Sequence, residues 1–195
     1  MRLILGSQSP RRKEILNYFT IPFVQISSSF DEESVPFQSN PVQYAQELSV
    51  KKAQELAPRF PGDAILTADT VVFQEGKIFN KPKDAQEAFH MLRSFSGRWQ
   101  QVFTAVTVQK DSAVFSACEE TKILFHPLTD EQIELYLRSA SFLDKAGGYA
   151  IQGTGSILVS RIEGCYYNVM GLPVNLVKVL LNKVGLDLWK HLKPF

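Results

Sequence analysis

Strand-length apolar runs and helix-start signals follow one another along this chain without a fixed rhythm, and that order limits the fold more than any other feature. Leu3 to Leu5 form a short apolar run, after which Ser9 as N-cap and Pro10 as first helical residue open a helix. A strand from Phe23 leads into an acidic loop, and Asn40 with Pro41 opens a second helix that runs to about Leu56. Residues 64–80 read as two strands around a Glu75–Gly76 turn, and 101–109 with 113–125 as a second pair joined around 110–112. Asp84 with Glu87, and Thr129 with Gln132, are capping-box starts for two further helices, the first ending near Gly97. A Gly-rich loop at 144–156, strands around Glu163–Gly164 and an apolar helix opened by Pro173 complete the chain. A wholly parallel sheet would need a strict βαβ alternation. Hairpins among the strands predict an α/β fold with a mixed sheet instead, and without a repeat or low-complexity linker residues 1–195 read as a single domain.

Composition narrows the function classes. A hydrophobic fraction of 45% with 21% charged residues describes a soluble globular protein. With 21 basic against 20 acidic side chains there is no global charge directed at nucleic acid or a membrane surface, so neither is an expected partner. No apolar run approaches the ~18 residues of a membrane span, and the apolar N-terminus is too short for a signal-peptide core. Cys118 and Cys165 lack metal spacing, and His90, His126 and His191 are too scattered for zinc. The expected compartment is the cytoplasm, where both thiols stay reduced. A homodimer is left open.

Several charges stand where local structure disfavours them. A helix start favours Asp or Glu, yet Arg11 and Arg12 occupy the first turn after Ser9. The conflict disappears if a polyanion binds there, held by bidentate guanidiniums and the hydroxyls of Ser7 and Ser9; the alternative is a solvated face. Lys52 interrupts the apolar stripe of Ala45, Leu48 and Leu56, as a cleft-facing ammonium or a snorkelling side chain would. Asp69 sits inside an apolar strand, where a carboxylate without a partner, a metal or a chemical task is costly. Glu32 and Glu33 offer loop carboxylates, Lys81 is held extended before Pro82, and Gln152 in the Gly-rich loop has an amide able both to donate to and accept from a base edge. Two arginines and two lysines can neutralise a triphosphate, while Asp69 and Glu32 can hold a divalent ion and activate water. That inventory suits phosphoryl-type transfer. No G-x-x-x-x-G-K-[ST] occurs, so a P-loop is excluded.

The segments SQSPRR (7–12), KKA (51–53), ADTVV (68–72), KPKDA (81–85), SG (96–97), DKAGGYAIQG (144–153) and GLP (171–173) make the chain resemble the Maf family of nucleoside triphosphate pyrophosphatases over nearly its whole length. The resemblance implies an elongated mixed sheet with flanking helices and two lobes around a central cleft, similar to inosine triphosphate pyrophosphatases. It implies cleavage between the α and β phosphates with a divalent metal, Mg²⁺ or Mn²⁺. Asp69 would be the general base, Glu32 (or Glu33) with Asp69 the metal ligands, and Ser7, Arg11, Arg12, Lys52 and Lys81 the phosphate-binding groups. ADT and AIQG are similar to the branch acting on dTTP and UTP, with Arg12, Thr70 and Gln152 marking that specificity; CTP or modified pyrimidine nucleotides stay open. The family also suggests a second role, a nucleotide-binding regulator of cell division with incidental hydrolysis. Asn80 replaces the family's usual Gly before KP, and is expected to keep a positive-φ turn there.

Overall fold

The first apolar run forms β1 (Leu3–Gly6), buried along its whole length. In the computed structural model, which describes residues 1–194, β1 lies between two parallel neighbours, β2 (Phe23–Ile26) and β3 (Ala64–Gln74). The remaining pairings are antiparallel: β4 (Lys77–Phe79) with β3, then β3 with β5 (Trp99–Lys110), β5 with β6 (Ala113–Phe125) and β6 with β7 (Val159–Glu163). The seven-stranded sheet is therefore mixed, in the order β2-β1-β3-β5-β6-β7 with β4 also on β3. Glu75 and Gly76 both have positive φ, 48° and 83°, as a two-residue hairpin turn requires.

Helices cover both faces. Alternation along β3 sends Ile65 and Val71 against α2 (Pro41–Leu56), while Ala64, Leu66, Ala68 and Val72 join the larger core on the other face. That core also takes the apolar sides of α1 (Pro10–Leu16), α3 (Ala85–Phe95), α4 (Asp130–Ser139) and α6 (Val174–Asn182). Cap chemistry sets the helix starts. The Asn40 side chain accepts from the N–H groups of Val42 and Gln43, both at 3.1 Å, and Thr129 with Gln132 makes the reciprocal box. Asp84 accepts from the Glu87 N–H at 2.8 Å, but the Glu87 carboxylate turns to the Lys83 N–H instead of the cap.

Two expectations fail locally. The chain beyond Gly164 is no strand but a short helix, α5 (Tyr166–Val169). Thr121 on β6 bonds both the N–H and the carbonyl of Cys165, at 3.0 and 3.1 Å, so the backbone is tied to a side chain where a ladder would have continued. Asn80 does not adopt positive φ; its carbonyl accepts from the Gly147 N–H at 3.1 Å, which ties the Lys81 segment to the Gly-rich loop.

The topology leaves one opening that matters for function. On the edge of β3 away from β5, β1 pairs with Ala64 to Thr67 and β4 with Val72 to Gln74. Residues 68–71 between them have no strand neighbour on that edge. Unpaired backbone there must find other partners or face solvent.

Candidate active site

That gap holds Asp69 and Thr70, which point to opposite faces because side chains alternate along a strand. Asp69 shares its face with Ile65 and Val71 and so points toward α2. The register between helix and strand is pinned by polar contacts that sequence reasoning missed. Thr67 Oγ1 donates to the Ser49 carbonyl at 2.7 Å, and Ser49 Oγ lies 2.7 Å from Thr107 Oγ1, all three residues wholly buried. One turn beyond Leu48, Lys52 then arrives opposite Asp69. Its Nζ donates to Asp69 Oδ1 at 2.5 Å and lies 2.8 Å from Glu32 Oε1.

Between the two sequence candidates on the acidic loop, Glu32 is the one that bonds Lys52, and its position is set by a short 3-10 turn, Glu32–Ser34, capped by Asp31. Burial raises the Glu32 pKa, but the charge and hydrogen bond of Lys52, aided by Lys81 and Arg12, outweigh it and hold the carboxyl below its ordinary value. Lys52 and Asp69 are both buried. Removing one member of such a pair leaves a charge stranded, at a cost of about 3–5 kcal/mol.

Arg12, expected to help grip a phosphate, is extensively hydrogen-bonded within the protein. Its Nε donates to the Gly171 carbonyl at 2.7 Å, Nη1 to the Ala68 carbonyl at 2.7 Å and to Ser7 Oγ at 3.2 Å, and Nη2 to Thr70 Oγ1 at 3.0 Å. Four of its five N–H groups are thus engaged within the protein. The Ala68 carbonyl belongs to the unpaired edge of β3, so Arg12 closes the sheet where β1 stops. Burial lowers its pKa, partly offset by Asp69. Arg11 points the other way, with Nη1 3.3 Å from Asp144 Oδ2. Asp144 also meets Lys145 Nζ at 2.5 Å and stays below the usual carboxylate range, because those contacts outweigh its burial. Both residues lie in the quoted DKAGGY motif, yet sequence reasoning gave neither a role; the acid next to a lysine in a Gly-rich loop was the available signal.

Ser9 Oγ accepts from the Arg12 N–H at 3.4 Å as N-cap, and Gln25 Nε2 fixes the preceding turn through the Ser7 carbonyl at 2.8 Å. Lys81 is exposed and lines the same cavity, where its charge helps to hold the Glu32 carboxyl below its ordinary value. Gln152 precedes a 3-10 turn whose Gly155 is obligatory: a Cβ there would lie 1.8 Å from the Ala150 carbonyl oxygen. All ten predicted residues, Ser7, Ser9, Arg11, Arg12, Glu32, Lys52, Asp69, Thr70, Lys81 and Gln152, line one cavity of about 750 Å³. Lys52, Asp69 and Glu32 meet on its α2 side, whereas Val72, Val102, Val169 and Met170 form an apolar wall on the other, with Thr70 and the Arg12 guanidinium beside them.

Among the described residues no group of three or more His, Cys, Asp or Glu side chains converges as a metal cage. Four carboxylates line the cavity, and of these Asp69 and Glu32 converge at Lys52 Nζ. That donor set fits Mg²⁺-type sites, in which one or two carboxylates and substrate phosphates complete the shell.

The class defined by this geometry is an α/β protein with paired carboxylates and cations in a cleft at the carboxyl end of β1. The chain belongs to the Maf family: the family model described as Maf-like protein matches residues 2–184. It is 45% identical over 192 residues to the dTTP/UTP pyrophosphatase of Chlamydia felis, covering 98% of each chain. It is also 45% identical over 186 residues to the dTTP/UTP pyrophosphatase of Clostridium perfringens, covering 93% of this chain and 97% of the other. The structure of the Staphylococcus aureus Ham1 protein is similar over 98% of this chain and 94% of that one, with a TM-score of 0.45 at 10% identity, a likeness too distant to bear on function.

Proposed function

We propose that the chain is a nucleoside triphosphate pyrophosphatase that hydrolyses dTTP and UTP to the monophosphate and pyrophosphate. The observation that carries the proposal is Lys52 Nζ bonded to both Asp69 and Glu32 inside a cavity that also presents Arg11 and Lys81. The relatives named dTTP/UTP pyrophosphatase, at 40 to 45% identity over nearly the whole chain, support the same reading.

Phosphoryl transfer needs positioning and charge neutralisation more than covalent chemistry. In the proposed mechanism Asp69 orients a water for in-line attack on the α-phosphorus and accepts its proton. Lys52 fixes the orientation of Asp69 before substrate arrives, so no reorganisation is needed at the moment of reaction. Lys52, Lys81 and Arg11 offset the charge on the departing pyrophosphate. Arg12 acts chiefly through the walls it holds, namely Gly171, Ala68 and Thr70. Asp69 and Glu32 would hold a divalent ion, Mg²⁺ or Mn²⁺, which when bound supplies Lewis-acid stabilisation of phosphoryl charge. Free Cys118 and Cys165 accord with the cytoplasm as the proposed compartment, and no described helix is long and apolar enough to cross a membrane.

Chromatography of dTTP and UTP incubated with the protein and Mg²⁺ or Mn²⁺ is expected to show monophosphate and pyrophosphate in equal amounts. Release of orthophosphate alone would overturn the proposal. A chelator is expected to stop turnover and either metal to restore it; turnover unaffected by chelation would remove the metal from the account.

A further inference from the structure

The cavity's apolar wall carries a hydrogen-bond chain whose direction is fixed. Thr104 on β5 is wholly buried and lies behind the wall. Its Oγ1 is 2.8 Å from the Asn168 carbonyl, which can only accept, so the single Thr104 hydroxyl proton points there. Thr70 Oγ1 lies 2.9 Å from Thr104 Oγ1. With the Thr104 proton engaged, the proton in that contact must come from Thr70. Thr70 in turn accepts from Arg12 Nη2 at 3.0 Å. The chain runs one way: Arg12 N–H to Thr70, Thr70 O–H to Thr104, Thr104 O–H to Asn168. Both ends are held, since the Asn168 carbonyl also accepts from the Gly171 N–H at 2.9 Å and the Asn168 amide donates to the Val102 carbonyl and Thr121 Oγ1, each at 2.9 Å.

Thr70 lines the cavity with one lone pair left and no proton to give. Space is kept beside it. Gly171 has φ +96°, and a Cβ there would lie 3.1 Å from Thr70 Oγ1.

We propose that Thr104 is a positioning residue for base selection: it fixes Thr70 as a hydrogen-bond acceptor, so that the apolar side of the cavity selects a base edge offering a ring N–H. Uracil and thymine present N3–H, whereas the N3 of cytosine is an unprotonated acceptor and would face the Thr70 lone pair. The chain thereby supplies a physical reason for favouring UTP and dTTP over CTP that is independent of the thymine methyl. This inference rests on the proposed pyrophosphatase reading, with the base on the Thr70 side and the phosphates on the Lys52 side.

The test compares kcat/KM for UTP, CTP and 3-methyl-UTP, whose N3 carries a methyl in place of hydrogen, in the wild type, Thr104→Val and Thr104→Ser. A buried polar group left facing the wrong partner costs enough to change affinity by about tenfold or more. The wild type is expected to favour UTP over both CTP and 3-methyl-UTP by at least that factor. Thr104→Val frees the Thr70 proton, and the UTP to CTP ratio is expected to fall by about tenfold, with CTP gaining mainly through KM. Thr104→Ser keeps the proton chain and is expected to keep the wild-type ratio. An unchanged ratio in a folded Thr104→Val, or a ratio lost equally in Thr104→Ser, would overturn the inference. If Thr104→Val fails to fold, the wild type still decides, because equal rates on UTP and CTP, or on UTP and 3-methyl-UTP, would refute an acceptor at Thr70. Absence of hydrolysis of UTP and dTTP by the wild type would instead refute the pyrophosphatase reading itself.

Discussion

Lys52 sits where two carboxylates converge, and that position separates the chemistry from the stability of the site. Asp69→Asn keeps the volume and a hydrogen-bonding group beside Lys52 but removes the proton acceptor. Turnover is expected to fall by at least about 10³-fold, within the range for general-base loss, while far-UV circular dichroism stays native and the loss of stability stays below the ~3–5 kcal/mol of a fully stranded ion, because Lys52 keeps Glu32 as a partner. Full activity in that variant would remove Asp69 from the mechanism. Lys52→Met strands the buried carboxylate instead and is expected to cost about 3 kcal/mol or more in chemical denaturation. Glu32 supplies a pH signature. Its folded pKa is depressed, so the unfolded chain takes up the proton first as pH falls. The contribution of Glu32 is complete above the ordinary carboxylate pKa of 4.5 and is lost as pH drops through the lower folded value. Melting temperatures measured from pH 6 to 3 are expected to fall more steeply for the wild type than for Glu32→Gln; parallel curves would contradict the pairing with Lys52. Lys52 and Asp69 were legible because each broke a local rule: a lysine on an apolar stripe, an aspartate in a strand. Thr104 and Asn168 broke none. A threonine in a strand satisfies β propensity, and its role exists only through contacts with distant segments.

Among the elements, α2 carries the greatest responsibility, since it brings Lys52 to β3. Its start was readable in Asn40–Pro41, and its inward stripe in the spacing of Ala45, Leu48 and Leu56. Asn40→Ala removes a side-chain acceptor shared by two N–H groups and is expected to cost about 1 kcal/mol, with kcat almost unchanged because Ser49 and Thr107 still hold the register near Lys52. A large loss of kcat with unchanged stability would show that the cap positions the site directly. The segment after Gly164 was misread for a physical reason. Cys165, Tyr166 and Tyr167 have the composition of a strand, but Thr121 captures the Cys165 backbone and Asn168 turns into the core. Tertiary hydrogen bonds decided the outcome over local propensity.

At the scale of the molecule, function depends on an interruption in the sheet. β1 ends at Gly6 and β4 begins pairing at Val72, so the edge of β3 between them is open to substrate on one side and sealed by Arg12 on the other. The mixed character of the sheet was legible from its hairpins. The gap was not, because strand register is a relation between segments and leaves no mark in either one. The same holds for Arg12, whose sequence position beside Arg11 suggested a joint anion grip while the fold turns the two guanidiniums in different directions. The central claim is that this opening presents the α-phosphorus to a water held by Asp69, with pyrophosphate leaving toward the cations. Hydrolysis of dTTP in ¹⁸O-labelled water, with both products analysed by mass spectrometry, tests it most directly. The account predicts the label in thymidine monophosphate and none in pyrophosphate; label in pyrophosphate would mean attack at the β-phosphorus and would contradict it.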